Sequence, residues 1–148
     1  MKIDLVVAAY IFREDDKLLL IKHKKLDKWL PVGGHIESNE TPDQAVIRES
    51  SEEVGLDVIL LQYSKLEVAL KDLALPFYAN VHSVGDHNHA CLFYLCQAWN
   101  PEFMKPNLNE VSDARWFSKL ELISNQEIGD DVRKIGLLAF ENYEKIKV

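Results

Sequence analysis

The chain has 148 residues, 47% of them apolar, and carries 17 Lys and Arg against 24 Asp and Glu, a formal charge of −7 with histidine neutral. A chain of this size buries about 70% of its unfolded surface, enough for one domain over 1–148 that folds without disulfide or metal staples. No apolar run approaches the ~18 residues of a membrane span, and the N-terminal MKIDLVVAAYIFRED lacks a small-residue cleavage site, so the expectation is a cytoplasmic protein with no membrane partner.

Residues 3–12 and 17–23 are apolar runs split by the polar REDD, and they predict a β-hairpin. The stretch HKKLDKWLPVGGHIE, with Pro31, Gly33 and Gly34 around a short LPV, predicts a loop feeding a brief strand and a tight turn. Residues 41–54 predict a helix with defined ends: Thr41 as N-cap, Pro42 at the first position, Gln44 closing a capping box and Gly55 as the stop. Strands are expected near 57–69 and 90–99, a turn-rich loop through ANVHSVGDHNH, a short strand at DARWF and a closing helix over 129–145. Cys91 and Cys96, five residues apart in an extended run, would have Cα atoms about 16 Å apart, so they read as reduced core thiols. Strands in both halves, with helices between and after them, predict an α/β/α sandwich around a mixed sheet.

The charge is unevenly placed. Residues 37–57 hold seven acids and one base, Arg48, leaving 17 acids and 16 bases elsewhere. That balance argues against broad attraction to a nucleic acid polymer and for a local demand for carboxylates. At about 100° per residue, Glu53 falls near +40° and Glu52 near −60° from Glu49, so the three share one face. Ile47 and Val54 fall on the other side with small Ser50 and Ser51, which predicts a helix that packs one face and presents acids on the opposite one. Acids three and four apart each destabilise a helix by roughly 0.2–0.5 kcal/mol unless a counterion offsets them. A hard cation such as Mg²⁺ takes oxygen ligands and substrate phosphates, and upstream Lys22, Lys24, Lys25 and Lys28 suit a polyphosphate. On the helix alone, a solvated acidic face explains the run equally well.

Gly34, five residues, Glu40, seven residues, then Arg48-Glu49-Ser50-Ser51-Glu52-Glu53-Val54-Gly55-Leu56 resembles the box of the Nudix hydrolase family, with every fixed residue present. Ser50 stands at a position usually bulky and aliphatic. The flanks WLPVGGHIE, with Val32 as an extra residue before the glycines, and EVSDARWFSKLEL extend the likeness to roughly residues 3–125. The resemblance implies a Nudix fold and Mg²⁺ or Mn²⁺ held by Glu49, Glu52 and Glu53, with the Gly33 carbonyl as a further ligand. It also implies that Arg48 orients Glu49 or its neighbours, and that Glu40 is structural or reaches metal through water.

Other residues admit two readings. Glu110, six residues before Trp116, is a candidate general base or additional ligand, or else a solvated loop acid. His82, His87 and His89 lack a recognised zinc-ligand spacing and read as surface residues or substrate contacts, with His87 a candidate contact. Trp29, Phe77 and Tyr78 could stack on a base, although aromatic residues more often pack in cores. Trp29, Lys22 and Lys24 are carried as candidate substrate contacts.

The activity implied by the resemblance is attack of water on phosphorus in a nucleoside diphosphate derivative. A nucleoside triphosphate or related small nucleotide is favoured, because a short chain offers one compact pocket. The proline that would mark the ADP-ribose group is missing, since position 72 is Asp and the first proline after Leu56 is Pro76. Alternatives are a non-catalytic nucleotide-binding sensor, which intact acids count against, and a diphosphate isomerase, whose extra acid and cysteine chemistry has no place in this chain. A monomer or homodimer is expected.

Overall fold

Strand β1 (Ile3–Arg13) and strand β2 (Lys17–His23) form the expected antiparallel hairpin, with Phe12 opposite Leu18. The computed structural model describes residues 1–64 and 66–147. After the hairpin come β3 (Lys28–Leu30), β4 (Val32–His35), α1 (Pro42–Val54), β5 (Val58–Leu60), β6 (Tyr78–Ser83), β7 (Asn88–Ala98), β8 (Val111–Phe117), α2 (Lys119–Ser124) and α3 (Asp130–Lys147). The strands make one mixed sheet in the order β3-β2-β1-β7-β5, with β4 also on β1, β6 on β7 and β8 on β2. Pairing of β1 with β7 is parallel from Ile3 opposite Asn88 to Phe12 opposite Gln97; β1 with β2 and with β4 is antiparallel.

Alternation along β1 divides the interior in two. Val7, Ala9 and Ile11 join Leu19 and Ile21 against Ala45, Val46 and Val54 of α1. Val6, Ala8, Tyr10 and Phe12 face the other way, onto Leu122 of α2 and Val132, Ala139, Phe140 and Tyr143 of α3. Phe12 stacks on Tyr143 with ring centroids 4.2 Å apart and meets Phe140 edge-on at 4.9 Å. Each fully buried aliphatic or Phe side chain contributes roughly 1.5–3 kcal/mol. Helices on both faces of a mixed sheet give the expected α/β/α arrangement. Cys91 lies in one core layer and Cys96 in the other, which keeps the thiols on opposite faces of β7.

Four expectations change. The loop through 79–89 is largely sheet: β6 and the start of β7 form a hairpin, with His82 opposite His89. YANVHS lacks the buried–exposed alternation of a half-buried strand, because nearly all of its residues are exposed while its neighbour β7 supplies the buried ones. The strand expected over 57–69 is only β5, followed by an isolated bridge between Tyr63 and Ala74; Lys65 lies outside the described residues. The LPV strand is two strands, β3 and β4, on either side of Pro31. Helix α2 was not expected, although Ser118 and Glu121 form its capping box.

Candidate active site

Helix α1 forms as its ends dictate. Thr41 Oγ1 accepts the Gln44 N–H at 3.2 Å, Gln44 Oε1 accepts the Thr41 N–H at 2.9 Å, and Gly55 closes the helix at φ 65°. Such an N-cap contributes about 1 kcal/mol. Ser50, at the position the box gives to an aliphatic residue, is fully buried and donates to the Val46 carbonyl at 2.8 Å.

The packing of α1 corrects the expected face. Its buried side comprises Asp43, Ala45, Val46, Ser50, Glu53 and Val54, while Ile47 is 46% exposed. Two glycines of β4 explain the rotation. A Cβ on Gly33 would stand 2.3 Å from the Val7 carbonyl oxygen, and one on Gly34 would stand 2.4 Å from Glu49 Oε1. Without those Cβ atoms, the acidic edge of the helix lies against the strand. Glu53 is only 6% exposed, and its Oε1 accepts the Gly33 N–H at 2.9 Å.

Burial pushes the Glu53 carboxyl up to about 8; the Gly33 N–H opposes the rise, and the charges of Glu49, Glu110 and Glu52 add to it. Burial also raises Glu49, against the pull of Arg48 and with the repulsion of Glu52 and Glu110. Arg48 is the base that organises this set. It grips both oxygens of Glu40, at 2.8 and 3.0 Å, and donates to Glu49 at 2.8 Å, Glu52 at 3.2 Å and the His35 carbonyl at 2.9 Å. Glu40 also accepts the Glu37 N–H at 3.0 Å, which pins the loop entering the helix. Glu53 receives no donor from Arg48. The result is a set of carboxylate oxygens with excess negative charge, a donor set that suits a hard divalent cation.

Glu110 joins this set through the loop before β8. Lys105 N–H donates to the Val54 carbonyl and Asn107 N–H to the Glu53 carbonyl, each at 2.8 Å, so the loop is fastened to the last turn of α1. Lys24 borders the same loop: its N–H donates to the Glu110 carbonyl at 2.9 Å and its ammonium to the Leu108 carbonyl at 3.2 Å. Lys22 lies 3.6 Å from Asp27 and over the Trp29 ring. Trp29 itself is 2% exposed, packs edge-on against Phe117 at 5.4 Å and donates Nε1–H to Glu127 at 3.2 Å. Its packing is that of a core residue, the other of the two readings its sequence position allowed. His87 meets Asp4, His35 and His89 rather than the box carboxylates.

Sequence reasoning missed Asn107 and His35, which hold the acid site through backbone groups that no motif marks. An open groove of about 420 Å³, lined by Leu5, Ile36, Pro42, Val81 and Leu92 among others, starts beside the N-terminus of α1 and contains none of the box acids.

The NUDIX domain family matches residues 2–137. An NAD-capped RNA hydrolase, NudC, of Vibrio atlanticus is 29% identical over 125 residues, covering 83% of this chain and 40% of the relative. An 8-oxo-dGTP diphosphatase of Proteus vulgaris is 34% identical over 74 residues, 50% of this chain and 54% of that protein. The chain thus spans about half or less of the length of these curated relatives. The crystal structure of a NUDIX-family hydrolase from Clostridium perfringens superposes with a TM-score of 0.85 at 30% identity, covering 97% of this chain and 99% of that one. With the box, the family match and the fold in agreement, the chain belongs to the Nudix hydrolase family.

Proposed function

We propose that the chain, acting as one domain over 1–148, is a Mg²⁺- or Mn²⁺-dependent hydrolase of the diphosphate linkage in a nucleoside diphosphate derivative, with a nucleoside triphosphate or related nucleotide as preferred substrate. The observation that carries this reading is the buried Glu53 carboxyl, crowded by Glu49, Glu52 and Glu110 and given no base of its own. Glu49, Glu52 and Glu53, with the Gly33 carbonyl, would hold the cation. When bound, the cation neutralises diphosphate oxygens and makes the attacking water more acidic.

The chain's own residues supply the rest. Arg48 fixes Glu49 and Glu52 in place while its clamp on Glu40 anchors the guanidinium. Glu110 is the candidate to take the proton from water, standing on a loop whose backbone is tied to Glu53. Lys24, whose ammonium lies beside that loop, is the candidate contact to a phosphate. The groove beside Pro42 offers apolar surface to the remainder of the substrate.

The test is a release assay for phosphate, pyrophosphate or nucleoside monophosphate across nucleoside triphosphates, 8-oxo-dGTP, dinucleotides and NAD-capped RNA, with and without chelator. Chelator-sensitive cleavage of at least one diphosphate class is expected, with preference for the free small nucleotides. Inactivity on every class would overturn the hydrolase reading in favour of a sensor.

A further inference from the structure

Asp4 is the second residue of β1, His35 ends β4, and His87 and His89 flank the entry into β7. Because β1 pairs with β4 and with β7, these four residues, distant in sequence, meet at one end of the sheet, with Asp4 opposite His89 and Val6 opposite His35. One donor atom from each can be chosen so that all four lie within 4.8 Å of one another. Asp4 Oδ2 is 3.2 Å from His35 Nε2 and 3.3 Å from His87 Nε2, and His87 Nε2 is 3.1 Å from His89 Nε2. A tetrahedral ion with ligands at about 2.0–2.1 Å separates its donors by about 3.3–3.4 Å. Three of the six separations are therefore already close to that value.

Proton placement points the same way. His87 Nδ1 lies 2.7 Å from Asp86 Oδ1, an acceptor, so Nδ1 carries the hydrogen. In a neutral His87, Nε2 is then a bare lone pair facing the Asp4 carboxylate. Two acceptors at 3.3 Å need a proton or a metal cation between them, and a cation there would also meet His89 Nε2, 3.1 Å from His87 Nε2. With a metal there, Asp86 becomes the outer carboxylate that fixes the tautomer of a ligating imidazole, a recurrent partner in zinc sites.

We propose that Asp4, His35, His87 and His89 form a second metal site, for a borderline divalent cation of the Zn²⁺ class. Three imidazoles and one carboxylate select such an ion over Mg²⁺, which prefers all-oxygen sets. His82 sits outside the set, its ring turned to Asn80 at 3.0 Å. The sequence spacing of His82, His87 and His89 did not reveal the site because two of its ligands come from β1 and β4.

The experiment is calorimetric titration of the full chain with Zn²⁺ in excess Mg²⁺ at mildly alkaline pH, with Co²⁺ substitution read by visible absorption. One equivalent of Zn²⁺ and a tetrahedral Co²⁺ spectrum are expected, retained in Glu53→Gln and weakened at least about 100-fold in His89→Asn, the upper end of what even an outer partner costs. His35→Asn, at an exposed side chain, serves as the second variant and should weaken binding likewise. No saturable Zn²⁺ binding, an octahedral Co²⁺ spectrum, or binding lost in Glu53→Gln and kept in both histidine variants would overturn the proposal.

Discussion

Gly34 and Glu49 occupy neighbouring space so tightly that a methyl group on the glycine would stand 2.4 Å from Glu49 Oε1. The obstructing atom is the end of a flexible side chain, so Gly34→Ala should leave thermal stability nearly intact while turning the carboxylate away. A misplacement of about 1 Å costs on the order of 10² in rate. Gly33→Ala meets the Val7 carbonyl instead, a backbone atom at 2.3 Å, and should destabilise the fold by about 1–3 kcal/mol. Thermal unfolding and kcat measured on both variants check this, and equal stability losses would contradict it.

Glu53 and Glu49 are the acids whose neutral replacement should separate chemistry from stability. Glu53→Gln and Glu49→Gln should each lower kcat by about 10² or more, since losing a metal ligand costs several kcal/mol of transition-state stabilisation. The glutamine at 53 keeps an oxygen for the Gly33 N–H and removes a carboxyl that, at neutral pH, has to take up a proton to be buried. Without divalent cation at neutral pH, Glu53→Gln should therefore unfold at a higher temperature than the native chain. Turnover retained in both variants would remove these residues from the site.

The pH dependence of stability follows from the same carboxyl. Its value of about 8 when folded, against an ordinary 4.5, means that the folded chain binds this proton more tightly than the unfolded chain does. Metal-free stability from this group is thus fully present below about 4.5 and is lost as pH rises towards 8, by at most about 1.4 kcal/mol per unit. Glu49, also raised, acts in the same direction. Urea unfolding across this range should show the decline, and either added Mg²⁺ or Glu53→Gln should flatten it; a native slope unchanged by both would contradict the assignment.

Glu110 lies outside the box and tests how far the site extends. As general base, Glu110→Gln should lower kcat by roughly 10²–10⁴ with little change in KM and should flatten the acidic limb of the rate profile. A rise in KM alone would make it a substrate contact. Unchanged kinetics would return the search for a base to Glu49, Glu52 and Glu53.

The helix was readable because its signals are local: Thr41, Pro42, Gln44 and Gly55 act within one turn of themselves. The spacing of Glu49, Glu52 and Glu53 was readable for the same reason. The burial of Glu53 was not, because a helical projection gives angles between side chains and not the direction from which a sheet arrives. Gly33 and Gly34 decide that direction, and their effect depends on Val7, far away in sequence. Edge strand β6 was hidden by a mixed sequence without strict alternation, which its pairing with β7 makes acceptable. The approach of Asp4 and His35 to His87 arises from strand order, which no local pattern encodes.

The two backbone bonds from Lys105 and Asn107 to the last turn of α1 have an evolutionary consequence. They make the offset between Glu110 and the box acids a matter of loop length rather than of side-chain rotamer. Insertions between Asn107 and Glu110 would shift that carboxylate relative to Glu49, Glu52 and Glu53 while every residue of the box stays the same. Grafting this segment from a relative would transplant its chemistry only if both anchoring bonds came with it.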